Sequence, residues 1–481
     1  MEQTMQRRTK IVATMGPASN DAATIESMIL AGVNVFRLNF SHGDAHAHSE
    51  LAGLVREVSA NLNSYVAIMG DLQGPKIRIG GFTQGYVDLD VGATFCIDSS
   101  VDLAAGNSDR VGIDFDLYKD CSIGQHLLLD DGRLELVISD IKGNAVETKV
   151  ITGGRLLPRK GLNLKGGGLS NDALTPEDME NIQLAAELGL DYLAISFPTS
   201  DKDIISARKI CESHNYFPRL IAKIERAELI ASQETLNAVI AASDGVMVAR
   251  GDLGVEIGDE ELIGVQKKII SSAIEMNRLV ITATQMMESM IENTIPTRAE
   301  VMDVANAVLD GTDAVMLSAE TATGQHPVKV IEAMHRIILG AEKHGAELDV
   351  SHGVMTGFDA IDESIAKASI HTAMHMKNVK AIVCLTESGD TPLWMSRVLL
   401  NIPIIALSSQ QETLNRVALF RGVNSFHCEL VSNDATEVLA DALSHLEQAG
   451  VVDKKDVVIA TLGQRIGTCG YTDTMTIRII E

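Results

Sequence analysis

Eight short β-branched or apolar runs separated by helical stretches constrain this chain more than any other feature: 11–15, 33–40, 65–71, 192–197, 220–225, 245–250, 279–284 and 314–318. The clearest helical patterns between and after them cover 261–277, 298–309 and 327–344. Strands alternating with helices predict a parallel sheet joined by right-handed crossovers. Eight units is the number that closes a (β/α)8 TIM barrel. Periodicity alone leaves an open, doubly wound sheet as an alternative.

One connection is too long for a loop. Residues 74–187 separate the third and fourth runs, with turn signals at Gly80-Gly81, Asp130-Asp131-Gly132 and Gly153-Gly154 and no strong helix before Thr175. A structureless loop of that length does not fit a compact domain. The stretch predicts a small inserted β-barrel domain over 73–170, with Lys165-Gly-Gly-Gly-Leu-Ser170 as the return hinge and Thr175-Pro176 as a helix start. The barrel is then discontinuous, 1–72 and 171–345. After 345 the pattern restarts: a helix over 359–376, then strands over 379–385, 404–408, 424–428 and 457–462. This is a C-terminal α/β domain, 346–481, with a mostly parallel sheet.

Composition narrows the partners. The 65 acidic residues outnumber the 40 basic ones, for a net charge of −25 over 481 residues. Such a surface repels phosphate backbones and anionic lipid, so no nucleic-acid or membrane role is expected. No stretch approaches the ~18–20 apolar residues that span a bilayer. The six cysteines (Cys96, Cys121, Cys211, Cys384, Cys428, Cys469) form no CxxC pair, which predicts reduced thiols and a cytoplasmic protein. An anionic substrate then requires a local cluster of basic residues.

The carboxyl ends of barrel strands are where ligands bind, and here they are densely polar. The second strand ends Arg37-Leu-Asn39-Phe-Ser41-His42, with Arg37, Asn39 and Ser41 expected on one face. The third ends Gly70-Asp71, the fifth Lys223-Ile-Glu225 and the sixth Arg250-Gly251-Asp252. The seventh carries Thr282 and Thr284, and the eighth ends Ser318-Ala-Glu320. Any one of these reads as well as a solvated strand end or structural ion pair. Together, Lys223, Glu225, Arg250 and Asp252 put four charges at one end of adjacent strands, costly unless paired or metal-bound. Glu225 and Asp252 suit Mg²⁺ or Mn²⁺, which one or two carboxylates hold while substrate oxygens and water complete the shell. Arg37, Lys223 and Arg250 would supply positive charge for a phosphate, with Arg78 and Lys160 closing from above. No GxGxxG opens a helix and no GxxxxGK[ST] occurs.

The motifs Arg37-Leu-Asn-Phe-Ser-His-Gly43, Gly70-Asp-Leu-Gln-Gly-Pro-Lys-Ile-Arg78, Ala222-Lys-Ile-Glu-Arg226, Met247-Val-Ala-Arg-Gly-Asp-Leu-Gly-Val-Glu256 and Ile281-Thr-Ala-Thr-Gln-Met-Met-Glu-Ser-Met290 resemble those of pyruvate kinase. So do Pro296-Thr-Arg-Ala-Glu-Val-Met-Asp-Val-Ala-Asn306 and Met316-Leu-Ser-Ala-Glu-Thr321, in family order from Lys10 through the C-terminal domain. The resemblance implies a lidded barrel with a regulatory α/β domain, a homotetramer, and phosphoryl transfer from phosphoenolpyruvate to ADP in glycolysis, giving pyruvate and ATP. It implies that Arg37 contacts the phosphate and that Arg78 and Lys160 hold the nucleotide, with Asn39, Ser41 and His42 along that wall. It further implies that Glu225 and Asp252 carry Mg²⁺, Lys223 stabilises the enolate, and Gly251 with Thr284 binds the substrate carboxylate. Thr284 would order the protonating water, supported by Ser318 and Glu320. The family's monovalent-cation site corresponds to Asn39, Ser41, Asp71 and the backbone of Leu72. Lys76 stands where many members carry glutamate, which implies that potassium is not required.

In the C-terminal domain Thr386-Glu-Ser-Gly-Asp-Thr391 reads as a phosphate nest built on Thr386, Ser388, Gly389 and Thr391. The acidic Glu387 and Asp390 oppose a bisphosphate, so a monophosphate effector, or none, is expected. A metal-dependent aldolase or lyase of a keto acid, and a non-catalytic metabolite sensor, are the alternative functions. The first leaves Arg78, Lys160 and the inserted domain unemployed; the second requires a damaged site.

Overall fold

The computed structural model describes residues 7–170, 173–345, 360–398, 400–429, 432, 434–465 and 469–481. The expected domain starts at 171 and 346 lie outside the described residues. Eight parallel strands close the barrel: β1 (Lys10–Thr14), β2 (Val35–Asn39), β3 (Ala67–Asp71), β4 (Tyr192–Ile195), β5 (Arg219–Ile224), β6 (Gly245–Ala249), β7 (Leu279–Ala283) and β8 (Ala314–Leu317). Closure excludes the open sheet. The register is continuous, from Val12 opposite Val35 round to Lys10 opposite Ala314.

Strand alternation explains both cores. Val12, Val35, Ala67, Met69, Ile221, Met247, Ile281 and Met316 fill the barrel interior, while their neighbours Ile11, Phe36, Ile68, Leu220, Val246, Val280 and Val315 pack against the helices. Every strand is buried on both faces, which is why each reads as an unbroken apolar run. Helix starts follow local chemistry. Thr175 caps Pro176–Glu187 with Asp178 answering its backbone, and Thr297 caps Arg298–Leu309 with Glu300 in the same reciprocal arrangement.

Between β3 and β4 stands the inserted domain. Its six-stranded sheet runs Leu162–Leu164, His126–Leu129, Leu134–Lys142, Ala145–Thr152, Thr94–Asp98, Arg110–Gly112, curled over a core that includes Phe95, Ile97, Leu127 and Leu136. A separate ribbon pairs Val87–Leu89 with Gly154–Leu156.

The C-terminal sheet comprises β9 (Val379–Leu385), β10 (Ile404–Ser408), β11 (Val423–His427), β12 (Val457–Leu462) and β13 (Thr474–Ile479), in the order β11-β10-β9-β12-β13. The last strand, antiparallel to β12, was not anticipated. This domain docks on the amino ends of the barrel strands. Lys10 Nζ donates to Val423 O at 2.6 Å, Tyr192 Oη to Arg416 O at 2.5 Å, and Arg219 pairs with Asp390 at 2.7 Å. The polar mouth is therefore at the opposite end. No helix among the described residues is long and apolar enough to cross a membrane.

Candidate active site

The carboxyl ends of β2, β3, β4 and β5 converge on one charge network. Asp71, 1% exposed, receives Arg37 Nε on Oδ2 at 2.6 Å and Lys223 Nζ near Oδ1 at 3.2 Å. Lys223 also reaches Glu225 Oε1 at 2.8 Å and donates to Ser196 Oγ at 2.7 Å. Burial raises the Asp71 carboxyl, but the two cations outweigh it and hold the group below the usual carboxylate range. For Lys223, burial alone would lower the pKa; Asp71 and Glu225 reverse this and hold it above the ordinary lysine value. The ammonium is thus a fixed charge rather than a proton donor.

Glu225 is buried, accepts from Phe197 N at 2.8 Å, and has its pKa raised. Burial dominates; Lys223 opposes it and the nearby carboxylate of Asp252 adds to it. Two facing carboxylates of this kind call for a cation between them. In this chain Lys76 meets part of that demand, with Nζ 2.8 Å from Asp252 Oδ1 and 3.6 Å from Asp131 Oδ1. Burial lowers the Lys76 pKa less than these acids raise it. The two carboxylates are hard oxygen donors of the kind Mg²⁺ or Mn²⁺ takes one or two at a time, with substrate oxygens and water filling the rest of the shell.

A second cluster lies where β6 and β7 end. Thr284 has φ +66°, a left-handed conformation that a β-branched residue adopts only under constraint. The constraint is visible: Gly251 N donates to Thr284 Oγ1 at 2.8 Å, and Arg250 Nη2 donates to Thr284 O at 2.6 Å. Arg250 is itself anchored by both oxygens of Asp303, at 2.6 and 2.8 Å. This corrects the expectation for Arg250. It is 7% exposed with its donors committed to backbone and Asp303, so it buttresses the turn and adds no free charge for a phosphate. Glu320 is likewise committed, accepting from Ser318 N at 2.6 Å and Met287 N at 3.2 Å.

Other expected residues are placed differently. β2 ends at Asn39, and Asn39 Oδ1 accepts from Ser41 N at 3.3 Å, so Ser41 sits in the turn and does not share the strand face. His42 is exposed on the same turn. Leu72 O accepts from Ser196 Oγ at 2.6 Å. Lys76 faces the Glu225–Asp252 pair and makes no bond to Asn39 or Ser41. Arg78 is exposed and donates to Arg159 O at 3.2 Å, and Lys160 pairs with Asp130 at 2.6 Å. Both stand on the lid, outside the charge network. Three contributors were missed: Ser196, Asp303, and Thr14, whose Oγ1 accepts from Arg37 at 3.0 Å. Thr14 and Ser196 end or follow β1 and β4, so the strand-end rule that found the others also pointed to them.

The comparisons with known proteins cover the same regions. Residues 6–331 match the model of the pyruvate kinase barrel domain and residues 363–478 that of the pyruvate kinase alpha/beta domain. The chain belongs to the pyruvate kinase family. It is 48% identical to pyruvate kinase II of Salmonella typhimurium over 99% of each chain. To the pyruvate kinase of Haemophilus influenzae it is 50% identical, over 95% of this chain and 96% of the relative. A crystal structure of a pyruvate kinase from Cryptosporidium parvum superposes with a TM-score of 0.90 at 33% identity, covering 99% of this chain and 96% of that one.

The expected effector loop borders a small cleft of about 50 Å³ in the C-terminal domain, lined by Thr386, Ser388, Thr391, Ser408, Arg465 and Thr472 among others. Gly389 N donates to Thr386 Oγ1 at 2.9 Å, and Asp390 is held by Arg219.

Proposed function

We propose that this chain transfers the phosphoryl group of phosphoenolpyruvate to ADP, giving pyruvate and ATP, as a cytoplasmic, Mg²⁺-dependent homotetramer built from a barrel (1–72 and 171–345), a lid (73–170) and a regulatory domain (346–481). The observation that carries the reading is the Arg37–Asp71–Lys223–Glu225 network at the barrel mouth, with Asp252 beside it. A phosphoryl group in flight requires cations around its oxygens and little covalent chemistry. Arg37, braced by Asp71 and Thr14, presents its remaining guanidinium edge to the phosphate. Lys223, fully charged, lies where the enolate oxygen gains charge. Glu225 and Asp252 would hold the divalent ion, which supplies charge neutralisation to substrate oxygens. Gly251 and Thr284 bind the substrate carboxylate, and the strained turn holds Thr284 toward the carbon that is protonated. Ser318 and Glu320 support that turn. Arg78 and Lys160, with Asn39 and His42 below them, take the nucleotide phosphates. An assay coupling pyruvate formation to lactate dehydrogenase, run with phosphoenolpyruvate and ADP, tests the reading; no turnover with Mg²⁺ present refutes it.

Potassium independence is supported by the charge already in place. Asp71 faces two cations, Leu72 O is taken by Ser196, and Lys76 brings an ammonium to the neighbouring acids. Activity is expected to persist in potassium-free tetramethylammonium buffer. Lys76→Glu should make turnover depend on added potassium; a collapse of the unsubstituted enzyme in that buffer refutes this.

The effector, where there is one, is a monophosphate bound by Thr386, Ser388, Gly389 and Thr391. Glu387 and Asp362 line the same cleft, and Arg465 is the cation among its lining residues. Fructose 1,6-bisphosphate should leave the apparent affinity for phosphoenolpyruvate unchanged, measured by titration at fixed ADP, while sugar or nucleoside monophosphates shift it.

A further inference from the structure

The motif 247–256 ends on Glu256, which the phosphoryl chemistry leaves unused. Glu256 is 5% exposed in the last turn of the helix Arg250–Ile257, whose first turn carries Asp252. Its carboxyl spans two other elements. Oε2 accepts from Ala227 N at 2.8 Å, two residues past Glu225, and Oε1 accepts from Asn163 Nδ2 at 3.3 Å in the lid's return strand Leu162–Leu164. The backbone oxygen of Glu256 accepts from Gly166 N at 2.9 Å. There the chain turns through Gly166, Gly167 and Gly168, at φ +86°, +80° and +107°, a hinge that side chains would strain. Glu228 accepts from Gly168 N at 2.5 Å, and Arg226 donates to Leu169 O. At the other end of the same helix, Asp252 holds Lys76, on the segment that enters the lid.

We propose that Glu256 is a positioning residue that clasps the lid to the barrel mouth, so that lid posture and the spacing of Glu225 and Asp252 are set together. This rests on the phosphoryl-transfer reading for its kinetic consequence, though not for the clasp itself. The charged groups that act on it are Glu228 and Arg226 from the segment after β5; Asp252 lies in the first turn of its own helix, and on the lid return Lys165 is turned to Glu135, which His126 also meets. Burial pushes the Glu256 carboxyl up to about 7 from an ordinary 4.5; Ala227 N opposes this and Glu228 adds to it. A closed clasp therefore binds more protons than an opened, hydrated one, so raising the pH through 7 favours opening. With those two values as the closed and open limits, the opening equilibrium grows about tenfold between pH 6 and pH 9.

Hydrogen exchange of the segment 162–169, corrected for intrinsic rates, reads the clasp without substrate. Protection in the unsubstituted chain should fall about tenfold from pH 6 to 9. Glu256→Gln, which has no proton to lose and can still accept from Ala227 N while its Nε2 donates to Asn163 Oδ1 once that amide turns over, should be flat over that range, with KM for ADP losing its matching rise while kcat at pH 6 is retained. Glu256→Ala should be open throughout. The same pH dependence in Glu256→Gln as in the unsubstituted chain overturns the proposal, whether or not the chain transfers phosphate. If protection behaves as expected and no transfer is detected, the clasp stands and the functional reading fails.

Discussion

Replacing Lys223 with methionine is expected to lower kcat by ~10²–10³-fold, the scale on which a single preorganised stabiliser of developing charge acts. The ammonium has three partners, Asp71, Glu225 and Ser196, and none of them can deliver positive charge once it is gone. Asp71 would keep Arg37, so the phosphate side of the network survives. Glu225 would keep only the Phe197 amide among its present partners, and burial together with Asp252 would then raise its pKa further. The variant should therefore require more Mg²⁺ for half-maximal activity, because a protonated carboxyl is a poor ligand. Steady-state rates against Mg²⁺ concentration check both effects. A kcat within threefold of the unsubstituted enzyme would refute the assigned role.

Asp313→Ala should destabilise the chain by about 3–5 kcal/mol, the cost of leaving a buried ion-pair partner alone. Asp313 is 1% exposed just before β8, and both its oxygens face Arg397 of the C-terminal domain. It also accepts from Val280 N at 2.9 Å and Arg421 N at 3.2 Å. Arg8, Lys10 and Arg421 lie in the same junction, and burial already pulls Lys10 down to about 7. Removing an acid there leaves an excess of buried cations. A melting temperature lower by roughly 10 °C is expected, with the C-terminal domain unfolding as a separate transition. A shift of a degree or two would mean that the junction is held by apolar packing alone.

The barrel was legible because all eight strands are buried on both faces and, apart from the third, which leads into the lid, each is followed by a helix or a turn into one. The differences are a residue or two at strand ends, where chain direction changes before the apolar run stops. Lys223 and Glu225 were legible for the same reason, being two apart at the end of β5. What sequence could not supply was pairing across the chain. Arg250 reads as a free cation until Asp303, in the helix before β8, is seen to hold it, and Lys76 meets Asp252 across 176 residues. The strand Thr474–Ile479 alternates polar and apolar residues and was open to the period-two rule, as Thr14 and Ser196 were to the strand-end rule.

One strand joins both ends of the molecule. β5 begins at Arg219, gripped by the loop that borders the C-terminal cleft, and carries Lys223 four residues later at the mouth. Bonded along both edges to its neighbours, such a beam neither stretches nor buckles. A tug at its foot would arrive at its tip as a change of tilt, with every group mounted there swinging in step.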